Sequence, residues 1–267
     1  VSFDMGWLSI HKFIVQYCDE ETFDHNQFLR CIQIEGVNND SDSPSPLHFC
    51  TVGSNNSMME ILLTNNADVN AVDKKGAKPI HWACFKGNLP HIQLLLQYNS
   101  DIHSVDYYGY STLHYAILGG HSKIVRLLIE EFNVSTESPN NIKSPLSVAC
   151  EEEELKIIKY LCSIGVSSDE LLYQYTRYNN ISVVYYLAKY SSSTNTFKKR
   201  TNPLHIAVAN NFTKITQILL KYQPCFIENT NANGKKPSSY ITSSSNRKIV
   251  QLFNEISPKS SKLIKYK

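Results

Sequence analysis

Paired cysteines, long apolar runs and the local signatures of catalysis are all missing from this chain of 267 residues. No CxxC occurs, and the seven cysteines, an odd number, are scattered at Cys18, Cys31, Cys50, Cys84, Cys150, Cys162 and Cys225. That usage argues against a disulfide framework and for a reducing compartment, so a cytoplasmic, intracellular protein is expected, with the nucleus left open. No stretch approaches the ~18 consecutive apolar residues of a membrane span, and Ile92–Leu96 is short and set in amphipathic surroundings. Residues 1–9 hold no basic region followed by an apolar stretch, so no secretory signal is expected there. The chain opens on Val1 rather than Met, which leads us to expect a fragment or trimmed chain. GxSxG, GxxxxGK(S/T) and HExxH are absent, and no nucleophile–base pair can be put together from sequence. The expectation is a protein that is not an enzyme and uses no cofactor or metal.

With 42% apolar and 19% charged residues, the chain has ordinary means to bury a core, which excludes wholesale disorder. Its formal net charge of +2 hides an asymmetry. Residues 1–196 carry 13 Lys and Arg against 22 Asp and Glu, whereas residues 197–267 carry 13 against 2. An acidic partner near the C-terminal third would explain this; solvated helix faces and the basic tail (Lys259, Lys262, Lys265, Lys267) explain it as well. Asn-x-Ser/Thr sequons at Asn55, Asn133, Asn180 and Asn211 read as chance matches in an Asn- and Ser-rich chain.

What the chain does have is a period. Asp40, Asp73 and Asp106 are spaced by 33 residues, and Ser45-Pro-Leu-His48, Lys78-Pro-Ile-His81, Ser111-Thr-Leu-His114 and Ser144-Pro-Leu-Ser147 step forward at the same interval. Asn202-Pro-Leu-His205 repeats the theme. An apolar run begins 13 residues after the start of each tetrapeptide, as in Met58–Leu62, His91–Leu95, Ile124–Leu128, Ile157–Leu161 and Ile215–Leu219. Pro at the start of a helix fixes φ and lacks an N–H that would have no partner anyway. Asp with Gly76 or Gly109 suits a tight turn, Gly87 and Gly120 suit a helix end, and the apolar runs have the i, i+3, i+4 spacing of an amphipathic helix. Such a unit cannot bury its face alone, so neighbours must stack.

Over residues 40–255 this pattern resembles the ankyrin repeat. The resemblance implies an all-α solenoid of helix-turn-helix units, about six to seven of them, near 40–72, 73–105, 106–138, 139–168, 169–196, 197–230 and 231–255. Residues 1–39 then form a partial repeat plus a helical insertion (Gly6–Tyr17, with Ile10, Phe13 and Ile14 buried, then Phe23–Ile34), and 256–267 a basic tail. The fifth unit is degenerate. It has no tetrapeptide, and Val183-Val184 follows Ile157-Ile158 by 26 residues, so Asp169–Tyr178 and Ile181–Ala188 are expected as its helices. In the fourth unit Ser147 replaces His, and Glu151–Glu154 replaces the Gly turn. The last unit has Ser243-Ser244-Ser245 where small apolar residues would pack, as suits a terminal cap.

Nine histidines raise the question of a metal. Those closing the tetrapeptides lie one repeat apart, too far to share an ion whose ligands sit within ~2.1 Å of it; bonding to turn backbone is the expected role. Cys50, Cys84 and Cys150 read as small core hydrophobes, and Glu151–Glu154 as a solvated or partner-facing acidic patch. Trp82 and Tyr115 fall on helix positions expected in the core.

The resemblance further implies a concave face, made of turn tips and exposed first-helix residues, that binds another protein. Matching positions here are Lys74, Lys75, Ala77, Tyr107, Tyr108, Tyr110, Asn140, Asn141, Lys143, Lys198, Lys199, Thr201 and Lys235 at tips, and Phe85, Lys86, Leu118, Glu151 and Glu152 at helix ends. The candidate partner-binding set is Lys74, Lys75, Phe85, Lys86, Tyr107, Tyr108, Tyr110, Leu118, Asn140, Lys143, Glu151, Lys198 and Lys199. Tyrosine and phenylalanine bury much area for few frozen torsions, which suits them to interfaces. The family also implies that Asn70 and His103 occupy a loop position open to hydroxylation. The expected function is an intracellular protein-binding adaptor or scaffold. The rival is a regulatory or targeting domain of a longer enzyme or channel, and nucleic-acid phosphate or anionic lipid ranks below a protein partner.

Overall fold

The computed structural model describes residues 10–19, 23–36, 38, 44–138, 142–190, 201–242 and 245–256. These residues form fifteen α-helices and no strand; the one extended feature is an isolated antiparallel bridge between Val105 and Ser111. The chain divides into two compact units, 1–148 and 149–267, with the division inside one helix.

In the first unit the helices are α1 (Ile10–Tyr17), α2 (His25–Glu35), α3 (Pro46–Cys50), α4 (Asn56–Thr64), α5 (Pro79–Lys86), α6 (Leu89–Gln97), α7 (Thr112–Leu118) and α8 (Ser122–Glu130); α9 (Pro145–Glu151) carries the division. Helices α3/α4, α5/α6 and α7/α8 pack as pairs, and α5 packs against α7. The tetrapeptide aliphatics Leu47, Ile80 and Leu113 are fully buried, as are Ala83 and Ala116 and the second-helix residues Met58, Met59, Ile92, Leu95, Val125 and Leu128. Before these pairs, α1 buries Ile10, Phe13 and Ile14 as expected, and Asp24 caps α2 by accepting from the N–H groups of Asn26 and Gln27. Gly6 lies outside the described residues, as does Asp40.

The second unit continues from α9 with α10 (Leu155–Ser163), α11 (Asp169–Arg177), α12 (Ile181–Tyr190), α13 (Pro203–Ala209), α14 (Thr213–Tyr222) and α15 (Arg247–Ile256), and has 3-10 turns at Pro224–Ile227 and Pro237–Tyr240. Its core repeats the same scheme. Ile157, Ile158 and Leu161 on α10, Val183, Val184 and Leu187 on α12, and Ile215 and Leu219 on α14 are fully buried. Helices α10 and α12 pack together, as do α12 and α14. The pair α11/α12 occupies the degenerate stretch, so the helices survive where the turn signature is lost. In the last segment Ile249, Val250 and Phe253 of α15 are buried; Ser243 and Ser244 lie outside the described residues.

Three local devices recur. Each tetrapeptide His accepts from the backbone N–H at the start of its own helix through Nδ1: Ser45 to His48 at 3.0 Å, Lys78 to His81 at 3.0 Å, Ser111 to His114 at 3.1 Å and Asn202 to His205 at 3.1 Å. That fixes the proton on Nε2, which donates to a carbonyl further along the chain: Ala77, Ser104, Lys143 and Lys235 in turn, at 2.9–3.1 Å. The second device ends helices. Five first helices finish at left-handed residues, Gly87 (φ 70°), Gly120 (φ 72°), Glu153 (φ 53°), Asn179 (φ 56°) and Asn211 (φ 57°); three second helices finish at Asn66, Asn99 and Asn133 in the same region. Glu153 therefore takes the place of the missing glycine at a steric cost that glycine would not incur. In the third, Asn38 and Asn70 each tie their own loop to the next, through Asn66 and Asp68 for the former and Asn99 and Asp101 for the latter.

All seven cysteines are free thiols, and every one but Cys225 is buried. Burial among apolar atoms drives the Cys50 and Cys84 thiols well up and the Cys162 thiol up to about 12, so they act as packing groups.

Candidate binding cavity on the first unit

Two turns build the cavity. In each, one aspartate organises the loop: Asp73 accepts from the N–H groups of Lys75 (2.8 Å) and Ala77 (2.9 Å), and Asp106 accepts from those of Tyr108 (2.9 Å) and Tyr110 (2.9 Å). The other carboxylate oxygen is filled nine residues downstream. Trp82 Nε1 donates to Asp73 at 3.1 Å, and the Tyr115 hydroxyl donates to Asp106 at 2.9 Å. Both aspartates are thereby buried with several donors each, which offsets the desolvation of their charge. Burial, and then the Asp106 carboxylate, hold the Tyr115 phenol far above its ordinary range, so it stays a donor.

Above these tethers lies a hollow of about 910 Å³, lined mainly by apolar atoms. Its walls are Trp82, Phe85, Tyr108, Tyr110, Tyr115, Leu118, Val52 and Pro44; Asp73 and Asp106 sit at its base, and Lys74, Lys75 and Lys86 also line it. Phe85 (42% exposed) and Tyr108 (66%) present ring surface to solvent, and the three lysines are exposed. The Lys86 ammonium stands 5.8 Å from the Phe85 ring centroid. Trp82 and Tyr115 are half-buried, and each meets the tetrapeptide histidine one repeat earlier edge-on, His48 and His81, at 5.4 and 5.0 Å between centroids.

Seven residues expected at the concave face meet in this hollow: Lys74, Lys75, Phe85, Lys86, Tyr108, Tyr110 and Leu118. Tyr107 does not line it. Although 72% exposed, Tyr107 lays its ring against Gly76, where a Cβ would collide with it, and its N–H donates to the Lys75 carbonyl at 2.8 Å. It therefore joins one turn to the next. Lys143 is exposed, and its carbonyl accepts from His114; Glu151 is exposed in the second unit; neither lines the hollow. Asn140, Lys198 and Lys199 lie outside the described residues, as do Asn141 and the tail 257–267.

Trp82 and Tyr115, expected in the core, are instead half-buried and line the cavity. An aspartate nine residues ahead of an aromatic, at Asp73/Trp82 and again at Asp106/Tyr115, is the signal that would have found them. Val52 was also missed, though it stands one 33-residue step before Phe85, which stands one step before Leu118.

A model of the family described as Ankyrin repeats (3 copies) matches residues 16–106, 98–170 and 172–261. The chain belongs to the ankyrin-repeat family. Among solved structures, it is similar to the crystal structure of the human ASB11 ankyrin repeat domain, with a TM-score of 0.58 and 20% identity over 78% of this chain and 98% of that one. That likeness concerns the fold. No curated protein sequence matches the chain. Ankyrin repeats are generally protein–protein interaction modules and typically carry no catalysis, which makes a protein the kind of partner this family implies. Among the described residues no helix is long and apolar enough to cross a membrane.

Proposed function

We propose that this ankyrin-repeat chain is a non-catalytic adaptor that binds a protein partner in the hollow between the 73–76 and 106–110 turns. The observation that carries this reading is five aromatic side chains converging on one 910 Å³ concavity, with the polar ends of Trp82 and Tyr115 already satisfied inside the chain. A surface of this kind has apolar area to offer and no unmet bond at its floor, so a bulky apolar side chain of a partner fills it at little cost in desolvation. Lys74, Lys75 and Lys86 then meet polar groups flanking that anchor. The free thiols fit a reducing cell interior, to which we assign the protein. We keep the unit boundaries given above, with the array running from 40 to 255.

Selection of displayed random peptides on the immobilised chain tests the reading. Enriched peptides should share a bulky apolar position and lose at least about tenfold in affinity for Phe85→Ala/Tyr108→Ala, while thermal unfolding of that variant stays close to that of the parent because both side chains are exposed. Peptides that bind parent and variant equally would place the binding surface elsewhere.

A further inference from the structure

A second surface lies in the second unit, on helices the concave face does not use. Helices α10, α12 and α14 carry Lys156, Lys159, Lys189, Lys214 and Lys221 and not one Asp or Glu. Opposite charges usually intersperse on exposed helices, so helices that carry charge of only one sign suit an external counter-charge.

The cations on it are organised by tyrosines. The ammoniums of Lys159 and Lys189 stand 5.5 and 5.0 Å from the centroid of a single ring, Tyr190, although they come from different helices. Lys189 also donates to the Tyr185 hydroxyl at 3.1 Å. The Tyr185 ring meets Tyr222 edge-on at 5.7 Å, and Lys221 stands 5.1 Å from that ring's centroid. These three tyrosines are half-buried and the three lysines exposed. Three ammoniums gathered around one aromatic cluster concentrate positive charge that a polyanion can meet.

The geometry points to a docking surface for single-stranded nucleic acid, with phosphates held by Lys159, Lys189 and Lys221 and unstacked bases laid on Tyr185, Tyr190 and Tyr222. Charge selects a polyanion, and the rings select among polyanions. Ring faces are electronegative and repel carboxylates, so an acidic peptide would use the lysines and leave the tyrosines idle. An unpaired base has a π-face that any tyrosine accepts, whatever the sequence. On binding, each ammonium passes from ring to phosphate and frees the ring face it covered.

Fluorescence anisotropy of the full chain with a labelled 12-nucleotide oligouridylate tests this. Unlabelled RNA duplex, poly-glutamate and phosphatidylserine vesicles serve as competitors. Three phosphate contacts predict a salt slope of about −2, hence roughly a 20-fold loss of affinity between 50 and 200 mM salt. Lys159→Gln/Lys189→Gln should flatten that slope and weaken binding. Tyr190→Leu, which keeps apolar bulk, should weaken binding about fivefold or more with the slope unchanged. Four results would overturn the proposal: no binding at 50 mM salt; lysine variants without effect, which would assign binding to other basic segments; poly-glutamate competing as well as RNA with Tyr190→Leu silent; or vesicles outcompeting the oligonucleotide.

Discussion

The turn-bearing stretch around α5 and α7 and the turnless stretch around α11 and α12 are built from the same helix pair and do different things with it. In the first, aspartate turns, neutral histidines and glycine helix ends hold the tips out, and the tips with the first helices enclose a hollow. In the second, the tetrapeptide is gone and Asn179 stands where glycine would, yet Leu172, Val183, Val184 and Leu187 are as buried as their counterparts. Helix-pair burial is thus enough to keep a repeat. The tips are an addition that makes a concave site.

Replacing a buried first-helix leucine tests that equivalence with the largest expected effect. Leu113→Ala in α7 and Leu172→Ala in α11 should each cost about 3 kcal/mol in denaturant unfolding, because both side chains are fully buried. Leu118→Ala, at the cavity, should stay within about 0.5 kcal/mol. A trivial cost at Leu172 would mean that the degenerate pair is not a repeat at all.

Acid should separate the two stretches next. Desolvation holds His48, His81, His91 and His114 below their ordinary range, His81 at about 4, whereas Ser147 replaces the histidine of α9. Because the folded values are depressed, the unfolded chain takes up protons first. Stability present above pH ~6.5 therefore drains away as pH falls towards 4. Hydrogen exchange at pH 7.5 and 5 should show residues 46–118 losing more protection than residues 155–190; equal loss would contradict the histidine account.

A finer contrast comes from the turn acids. Asn231 makes the same two turn bonds as Asp106, and its amide donates to the Tyr240 hydroxyl at 2.8 Å. A tyrosine hydroxyl can reverse from donor to acceptor, but an indole N–H cannot. Asp106→Asn should therefore cost less than about 1 kcal/mol, and Asp73→Asn, which sets an amide N–H against Trp82 Nε1, about 1–3 kcal/mol. The smallest effect is expected at the helix end, where Glu153→Gly should relieve a left-handed φ and raise stability by up to about 1 kcal/mol, less the lost bond from Asn180.

Much of the repeat could be read from the chain because its determinants are local. Pro-Leu-His and the apolar pairs recur at fixed steps, and each acts on its own helix. Helices 169–178 and 181–188 were expected from apolar spacing alone and are found as α11 and α12 within two residues. The cavity was only half legible. Tyr107 and Tyr108 are neighbours of the same type, and only the closeness of Gly76 to the Tyr107 ring decides which one packs on a turn and which one faces the hollow. The indole of Trp82 reads as core until its bond to Asp73 shows which end is held. The lysine–tyrosine cluster was out of reach, since Lys159, Lys189 and Lys221 come together only when three helices stack.

Hydrogen–deuterium exchange of the chain with and without a display-selected peptide tests the central reading most directly. New protection confined to residues 73–76, 106–110 and the C-terminal ends of α5 and α7 is the predicted result; protection on α10, α12 and α14 instead, or none at the two turns, would contradict it.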